Sequence, residues 1–175
     1  RNAPYEPEIL DLIHFLQKMG VCIAIEKDRT ISIRETKEFF PVEHTVIPDR
    51  IEAVSYALAA IGTGGTVYVE GAKQEHMSLF LAKLRAVGGW FKVDNAGILF
   101  DGSKSNLKGN IYVETDVYPG FLTDWQQPFA TLLTQVEGSS IIHETIYETR
   151  FGYTETLRSM GADIRQRFVD VLGVP

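Results

Sequence analysis

Asp124 is the residue of this sequence best placed to do chemistry. It lies in the segment YPGFLTDWQQPFATLL, residues 118–133, between a Pro-Gly bend and an apolar run. A carboxylate there can cap the first turn of a helix, which is worth roughly 1 kcal/mol and explains the position unaided. It can also act as a general base, because catalytic groups often sit on loops held by a rigid scaffold. The residues alone leave both roles open and favour the cap.

A second candidate is Arg150, in the segment ETRFGY, which could supply charge for an anionic ligand. The preceding letters, HETIYETR, resemble the start of a zinc-protease HExxH motif, but Tyr147 stands where the second histidine is required. The remaining histidines, His14, His44 and His76, show no ligand spacing. We therefore predict no metal site.

Two further motifs have structural explanations. The glycines of AAIGTGGTVYV follow a predicted helix and precede a strand, whereas a phosphate-binding loop needs the opposite order, so they indicate a helix stop. In IPDRIEAV, Asp49 and Glu52 have capping-box spacing, which predicts a helix cap. The role of Arg50 stays open, since a first-turn arginine does not favour the helix dipole.

An internal repeat organises the chain. The segments that begin at Gly64 and Glu137 align without a gap at an offset of 73 residues. The aligned pairs are Gly65 with Gly138, Glu75 with Glu148, Leu84 with Leu157, Arg85 with Arg158 and Gly88 with Gly161. A partial third copy opens the chain, with Leu16 and Gly20 in the places of Leu84 and Gly88.

Each unit predicts the order β-α-β-α-β-β, and hence an α+β fold. Runs at 66–69 and 139–142 predict buried strands, the apolar spacing at 77–87 and 153–160 predicts helices, and 90–93 with 97–100 predict a strand pair. A further helix precedes each unit, at 50–62 and 124–138, and each is expected to follow a strand of its own. The predicted units are 1–40, 41–108 and 109–175, the first incomplete. Because the helices are apolar, a unit must pack against its siblings.

Composition narrows the function classes. The net charge of −6, without a cluster of Lys and Arg, argues against a nucleic-acid surface. The single cysteine, Cys22, excludes an internal disulfide and fits a reducing cytoplasm; its setting in GVCIAIEKD predicts a buried structural thiol. We find no signal peptide and no apolar run of membrane-spanning length. Because the chain starts at Arg1, we expect it to be part of a longer protein.

Five segments together carry a resemblance to a known family. They are EPEILDLIHFLQKMG, PDRIEA, LAKLRAVGG, YPGFLTDWQ and EGSSIIHETIYETRFGYTETLRSMGADI. Over residues 2–174 they resemble the enolpyruvyl transferases, and among these the UDP-N-acetylglucosamine 1-carboxyvinyltransferase family. The most specific strings are PGFxTDxQ and ETxxExRF, although Thr149 stands where the family has Asn. The resemblance implies six β-α-β-α-β-β units in two domains with the active site between them, of which this chain would hold under half.

The resemblance also implies a reaction and its site residues. The enolpyruvyl group of phosphoenolpyruvate passes to the 3-hydroxyl of UDP-N-acetylglucosamine by addition and elimination, with release of phosphate. Asp124 matches the family's base, which needs hydrogen-bond reach to the hydroxyl and a tuned pKa. Ile146 matches a nucleotide-sugar contact made through the backbone, and Arg150 matches the arginine of the same motif. No cofactor is expected.

Some parts of the family's site have no counterpart here. Its reactive loop residue, its Lys-Asn pair and several phosphoenolpyruvate-binding arginines lie outside this sequence, and Cys22 does not match the loop residue. We therefore expect the chain alone to bind substrate weakly and to turn nothing over. It could also self-associate through faces left open by missing repeats. The alternatives are an EPSP synthase-like relative and a non-catalytic repeat module, the latter favoured if Asp124 pointed into a closed core.

Overall fold

A computed structural model of the chain describes residues 1–147 and 149–167. The helices are α1 (Pro7–Lys18), α2 (Arg50–Thr63), α3 (Ser78–Ala86), α4 (Thr123–Leu133) and α5 (Tyr153–Ser159). The strands are β1 (Ile23–Glu26), β2 (Thr30–Ile33), β3 (Thr66–Glu70), β4 (Phe91–Val93), β5 (Gly97–Asp101), β6 (Tyr112–Glu114) and β7 (Ile141–His143). The α+β class predicted from the sequence is confirmed.

The strands form separate small sheets. β1 and β2 form an antiparallel hairpin, β3, β5 and β4 form an antiparallel sheet in that order, and β6 pairs in parallel with β7. The apolar faces of α2, α3 and α4 meet residues of β5 and β6 in a core rich in aromatic rings, and the β1–β2 hairpin lies outside this core, against α1. Fully buried rings at its centre are Phe80, Phe100, Phe121, Trp125 and Phe129. Phe121 packs edge-on against Trp125 and Phe129, which fixes the start of α4 on the core.

The glycine stop predicted in AAIGTGGTVYV is confirmed, and a glycine follows three other helices in the same way. Gly20, Gly64, Gly88 and Gly161 all follow helices and have positive φ angles, from 71° at Gly64 to 102° at Gly161. Gly64 is the left-handed C-cap of α2, so the glycine cluster ends a helix, as its order along the chain predicts. Asp49 is also the predicted N-cap of α2, and its carboxylate accepts from the backbone N–H groups of Ile51 and Glu52.

Several expectations about the strands were wrong. No strand directly precedes α2: residues 41–48 form neither helix nor strand, and Pro41 and Pro48 at the two ends have no N–H to donate to a ladder. β3 is not a buried strand, because its side chains alternate between partly buried and exposed. β7 starts at Ile141 rather than 139, and Ile141 is exposed. The closing residues of the last unit, 168–175, and Glu148 of the repeat alignment lie outside the described residues.

Cys22 was expected to be buried, but it is exposed. It lies one residue before β1 in a two-stranded hairpin, where a single layer of strands leaves one face open to solvent. The backbone of Cys22 is nevertheless held, because its carbonyl accepts from the N–H of Arg34 at 3.0 Å.

Candidate functional site

A cleft of about 1310 Å³ is lined by Asp124, Ile146 and Arg150, the three site residues that the family motifs indicate. One wall comes from α1 and from residues 42–51, and includes Glu8, Asp11 and Phe15. The opposite wall comes from residues 116–124 and from Ile146, Tyr147, Thr149 and Arg150. Asp124 and Arg150 belong to different motifs, 26 residues apart in sequence, and the fold brings them into contact.

Asp124 is not the cap of α4. The N-cap position belongs to Leu122, which makes no side-chain cap hydrogen bond, and Asp124 is the second residue of the helix. Its carboxylate still favours the helix dipole, but its Oδ1 accepts from Nη2 of Arg150 at 2.5 Å. The side chain is half-exposed, at 50%, so the carboxylate faces the cleft rather than a closed core.

Pro128 affects the same turn. It lies five residues after Thr123, inside α4 rather than at its start. A proline at that position has no N–H to donate to the carbonyl of Asp124 four residues earlier. The first turn of α4 therefore depends more on tertiary contacts, which the buried Trp125 and Phe129 supply.

Arg150 is held by two acceptors on the first turn of α4. Its Nη1 donates to Thr123 Oγ1 at 3.0 Å while its Nη2 donates to Asp124 Oδ1. The guanidinium also lies 5.4 Å from the ring centroid of Tyr147, a cation–π distance. Only 23% of the Arg150 side chain is exposed. The charge is thus fixed in orientation beside the candidate base.

Ile146 lies on the same wall, 38% exposed. Its backbone N–H is occupied, because it donates to Glu144 Oε1 at 2.8 Å. Among residues 1–147 and 149–167, no donor reaches its backbone carbonyl. A backbone contact from Ile146 to a ligand would therefore use the carbonyl as an acceptor.

Glu144 is the site residue that the sequence reasoning missed. Its side chain is buried, and its two oxygens accept five hydrogen bonds. The donors are Thr115 Oγ1 (2.9 Å), Thr123 Oγ1 (2.9 Å), Gln126 Nε2 (3.2 Å) and the backbone N–H groups of Ile146 (2.8 Å) and Tyr147 (3.1 Å). The signal in the sequence was a glutamate directly after a strand and before a threonine, at the start of the string ETxxExRF.

Glu144 is charged at neutral pH. Burial would raise the pKa of its carboxyl, but the donated hydrogen bonds, led by the backbone N–H groups of Ile146 and Tyr147, hold the pKa below its ordinary value. Burial, together with this negative charge, raises the pKa of Tyr153. The Tyr153 hydroxyl therefore keeps its proton and donates it to Gln126 Oε1 at 2.6 Å, which orients the amide nitrogen of Gln126 towards Glu144.

Arg50, whose role the sequence left open, is a buried link between the two walls. Its guanidinium makes a two-pronged contact with Glu8 of α1, at 2.8 and 2.9 Å, and is 3% exposed. It also lies 4.9 Å from the ring centroid of Tyr118, in the segment that leads to Asp124. Arg50 therefore connects α1 to the segment that carries Asp124.

His143 contacts Tyr112 and Glu114 rather than a group of metal ligands. Its Nδ1 lies 3.0 Å from Glu114 Oε2 and 3.0 Å from the Tyr112 hydroxyl, on the exposed face of β6 and β7. Glu144, the next residue, points into the hydrogen-bond network instead. Across the part of the chain that the structure describes, no three His, Cys, Asp or Glu side chains are grouped as ligands would be.

A family model described as EPSP synthase (3-phosphoshikimate 1-carboxyvinyltransferase) matches residues 1–174. The chain belongs to the EPSP synthase family. Its similar relatives within that family carry a different specific name: a Protochlamydia amoebophila (strain UWE25) protein, 60% identical over 94% of this chain, is a UDP-N-acetylglucosamine 1-carboxyvinyltransferase. A Chlamydia abortus protein of that name is 56% identical over 93% of the chain, and UDP-N-acetylglucosamine 1-carboxyvinyltransferase 2 of Bacillus subtilis (strain 168) is 40% identical over 94%. The resemblance drawn from the motifs is thereby confirmed.

This EPSP synthase family member spans about a third of its relatives' lengths: 35% of the Protochlamydia protein and 38% of the Bacillus protein. Among solved structures, the enolpyruvyl transferase NikO from Streptomyces tendae matches with a TM-score of 0.83, covering 97% of this chain and 40% of NikO at 23% identity. That likeness confirms the enolpyruvyl transferase fold. Among the described residues, no helix combines the length and apolarity needed to cross a membrane.

Proposed function

We propose that this chain forms part of the active site of a UDP-N-acetylglucosamine 1-carboxyvinyltransferase. The complete enzyme would move the enolpyruvyl group of phosphoenolpyruvate to the 3-hydroxyl of UDP-N-acetylglucosamine, an early step of peptidoglycan precursor synthesis. The observation that carries the proposal is that Asp124, Ile146 and Arg150, drawn from two separate family motifs, line one cleft. The names of the similar relatives support the choice of sugar nucleotide.

Asp124 is proposed as the general base. One of its oxygens is held by Arg150, and Oδ2 has no hydrogen-bond donor among the described residues. That oxygen would accept the proton of the 3-hydroxyl as the sugar oxygen bonds to C2 of phosphoenolpyruvate and C3 gains a proton. The tetrahedral intermediate then loses phosphate from C2 and a proton from C3 as the double bond between them re-forms. Fixing the base in advance lowers the entropy cost of reaching this geometry.

Ile146 and Arg150 are proposed as binding residues. The carbonyl of Ile146 would accept a hydrogen bond from the nucleotide sugar, because its N–H is already donated to Glu144. Arg150 would contribute positive charge to the same side of the cleft while it orients Asp124.

The position of Asp124 argues against a non-catalytic module, and the acceptor substrate distinguishes an EPSP synthase-like relative. A non-catalytic module would be favoured by an Asp124 enclosed in the core, whereas the carboxylate is half-exposed in the cleft. An EPSP synthase-like relative differs in its acceptor substrate, shikimate 3-phosphate. A cytoplasmic location belongs to the proposal, because the reaction consumes a nucleotide sugar and phosphoenolpyruvate.

The test is a full-length chimera in which this sequence replaces the matching 166-residue segment of the Protochlamydia amoebophila relative. We expect phosphate release from phosphoenolpyruvate with UDP-N-acetylglucosamine and none with shikimate 3-phosphate. Release with shikimate 3-phosphate alone would overturn the substrate assignment. The isolated 175-residue chain should release no phosphate with either acceptor, and detectable product from it would contradict the expectation that it is incomplete.

A further inference from the structure

Three hydrogen bonds connect a buried carboxylate to the candidate base. Thr123 Oγ1 donates to Glu144 Oε2 at 2.9 Å, Arg150 Nη1 donates to Thr123 Oγ1 at 3.0 Å, and Arg150 Nη2 donates to Asp124 Oδ1. The other oxygen of Glu144 holds the backbone N–H groups of Ile146 and Tyr147. One carboxylate thus touches, directly or through one hydroxyl, every element that carries a candidate site residue.

The direction of this chain of hydrogen bonds is fixed by its two ends. A guanidinium can only donate and an ionised carboxylate can only accept. The single proton of the Thr123 hydroxyl therefore goes to Glu144, and its lone pair faces Arg150. A hydroxyl is the one small side-chain group that can serve both neighbours at this position, because a methyl group can serve neither.

We propose that Glu144 and Thr123 act as positioning residues that hold Arg150, and through it Asp124, in the orientation needed for proton transfer, a role that rests on the proposed function. With Arg150 held at two points, its guanidinium cannot rotate away from Asp124. Removing Thr123 Oγ1 leaves Arg150 on one acceptor and leaves Glu144 Oε2 with Gln126 as its remaining donor. Glu144 does not line the cleft, and the hydroxyl of Thr123, which does, is already engaged by Glu144 and Arg150.

The decisive comparison is Thr123→Val against Thr123→Ser in the full-length chimera. Valine has the shape of threonine without the hydroxyl, and serine keeps the hydroxyl without the methyl group. A packing role predicts that serine is the worse substitution, whereas the positioning role predicts the reverse. We expect kcat to fall by at least roughly tenfold in Thr123→Val, the size of one lost hydrogen bond, and by less than about threefold in Thr123→Ser. KM for the sugar nucleotide should change little in both variants.

The matched control is Thr131→Val on the exposed side of the same helix. The hydroxyl of Thr131 donates only to the Gln127 carbonyl within the helix, so this variant should keep the parent kcat. A second variant, Glu144→Gln, keeps an oxygen for the backbone N–H groups but replaces the other acceptor by an NH₂ donor. The double variant should lose no more kcat than the worse of the two single variants, because both substitutions break the same series of hydrogen bonds. The exposed Glu155→Gln is the control for Glu144→Gln.

A measurement without catalysis separates this role from the proposed function. In the 175-residue chain, the Nη protons of Arg150 should give resolved, slowly exchanging NMR signals in the parent and in Thr123→Ser. They should exchange roughly tenfold faster in Thr123→Val. Equal exchange in all three chains, or equal kcat in the valine and serine variants, would overturn the positioning role. Activity that survived Asp124→Asn would instead overturn the proposed function and leave this NMR comparison valid.

Discussion

The contact between Asp124 and Arg150 is important for geometry rather than for stability. Asp124 is half-exposed, and ion pairs at such sites contribute roughly 0.2–1 kcal/mol. The two donors of Arg150 nevertheless fix where the carboxylate lies in the cleft. Substitutions at this pair should therefore leave the fold nearly as stable as before and act mainly on catalysis.

Asp101 is the residue whose environment makes the clearest prediction about pH. Hydrogen bonds from Ser103 and then from Lys104 lower the pKa of its carboxyl from 3.8 to about 2. A carboxyl with a depressed pKa in the folded state stabilises the fold above its unfolded-state pKa, and that stabilisation is lost as the pH falls towards the folded value. We expect the melting temperature of the chain to fall between about pH 4 and pH 2, and to fall less steeply in Asp101→Asn. Parallel pH curves for the two chains would contradict this assignment.

At the residue scale, the sequence predicts which residues belong to the candidate site better than it predicts the contacts between them. The motifs PGFxTDxQ and ETxxExRF single out Asp124, Ile146 and Arg150, and the structure places all three in one cleft. The ion pair between Asp124 and Arg150 was not predicted, and neither was the burial of Glu144. Both depend on how the first turn of α4 docks against the segment after β7, and periodicity carries no information about that docking.

Among the secondary-structure elements, the repeat produces equivalent helix ends in different surroundings. Gly88 after α3 and Gly161 after α5 align in the repeat, and each donates its N–H to the carbonyl of an aligned arginine, Arg85 or Arg158. Their φ angles are similar, 86° and 102°. Gly88 is packed against the Asn106 carbonyl, whereas a Cβ on Gly161 would meet nothing within 4 Å.

Gly88→Ala and Gly161→Ala form a matched pair for this reason. Gly161→Ala should lower the free energy of unfolding by about 1–2 kcal/mol, the cost of a left-handed alanine. Gly88→Ala adds a Cβ only 1.9 Å from Asn106 O, so it should cost a further 1–3 kcal/mol or so from overpacking. Urea denaturation of the two variants measures the difference. Equal losses would mean that the turn at Asn106 moves freely.

The elements themselves were mostly predictable. The helices at 50–63 and 78–86 follow from apolar spacing, and the strand pair of β4 and β5 follows from its β-branched and aromatic residues. The absence of a strand directly before α2 was not predicted, because the repeat implied one there, whereas residues 41–48, with a proline at each end, form neither helix nor strand. Residues 41–48 therefore depart from the secondary structure that the repeat predicts.

On the scale of the whole molecule, apolar side chains are exposed along one stretch of the chain. They are Ile33, Phe39, Phe40 and Val46, each more than half exposed. Exposed apolar groups that lie close together in the chain favour association, because burying them removes apolar surface from water. The larger family architecture was predictable from the repeat and the motifs, but which surfaces of this chain stay uncovered was visible only in the structure.

We expect the 175-residue chain to self-associate as its concentration rises. The double variant Phe39→Ser/Val46→Ser should weaken this association, while Met160→Ser, an equally exposed position in a different part of the chain, should not. Sedimentation velocity over a range of concentrations gives the answer. A chain that stays monomeric throughout would show that the exposed residues do not form a common surface.

The central claim is that Asp124 is the base of an enolpyruvyl transfer, and one measurement tests it most directly. Asp124→Asn keeps the size and the contact with Arg150 but removes the basic oxygen, so kcat for phosphate release by the full-length chimera with UDP-N-acetylglucosamine should fall by roughly 10²–10⁴-fold. Its melting temperature should stay within a few degrees of the parent, because the ion pair contributes little stability. A variant that turned over at nearly the parent rate while melting at a lower temperature would show that Asp124 only stabilises the fold.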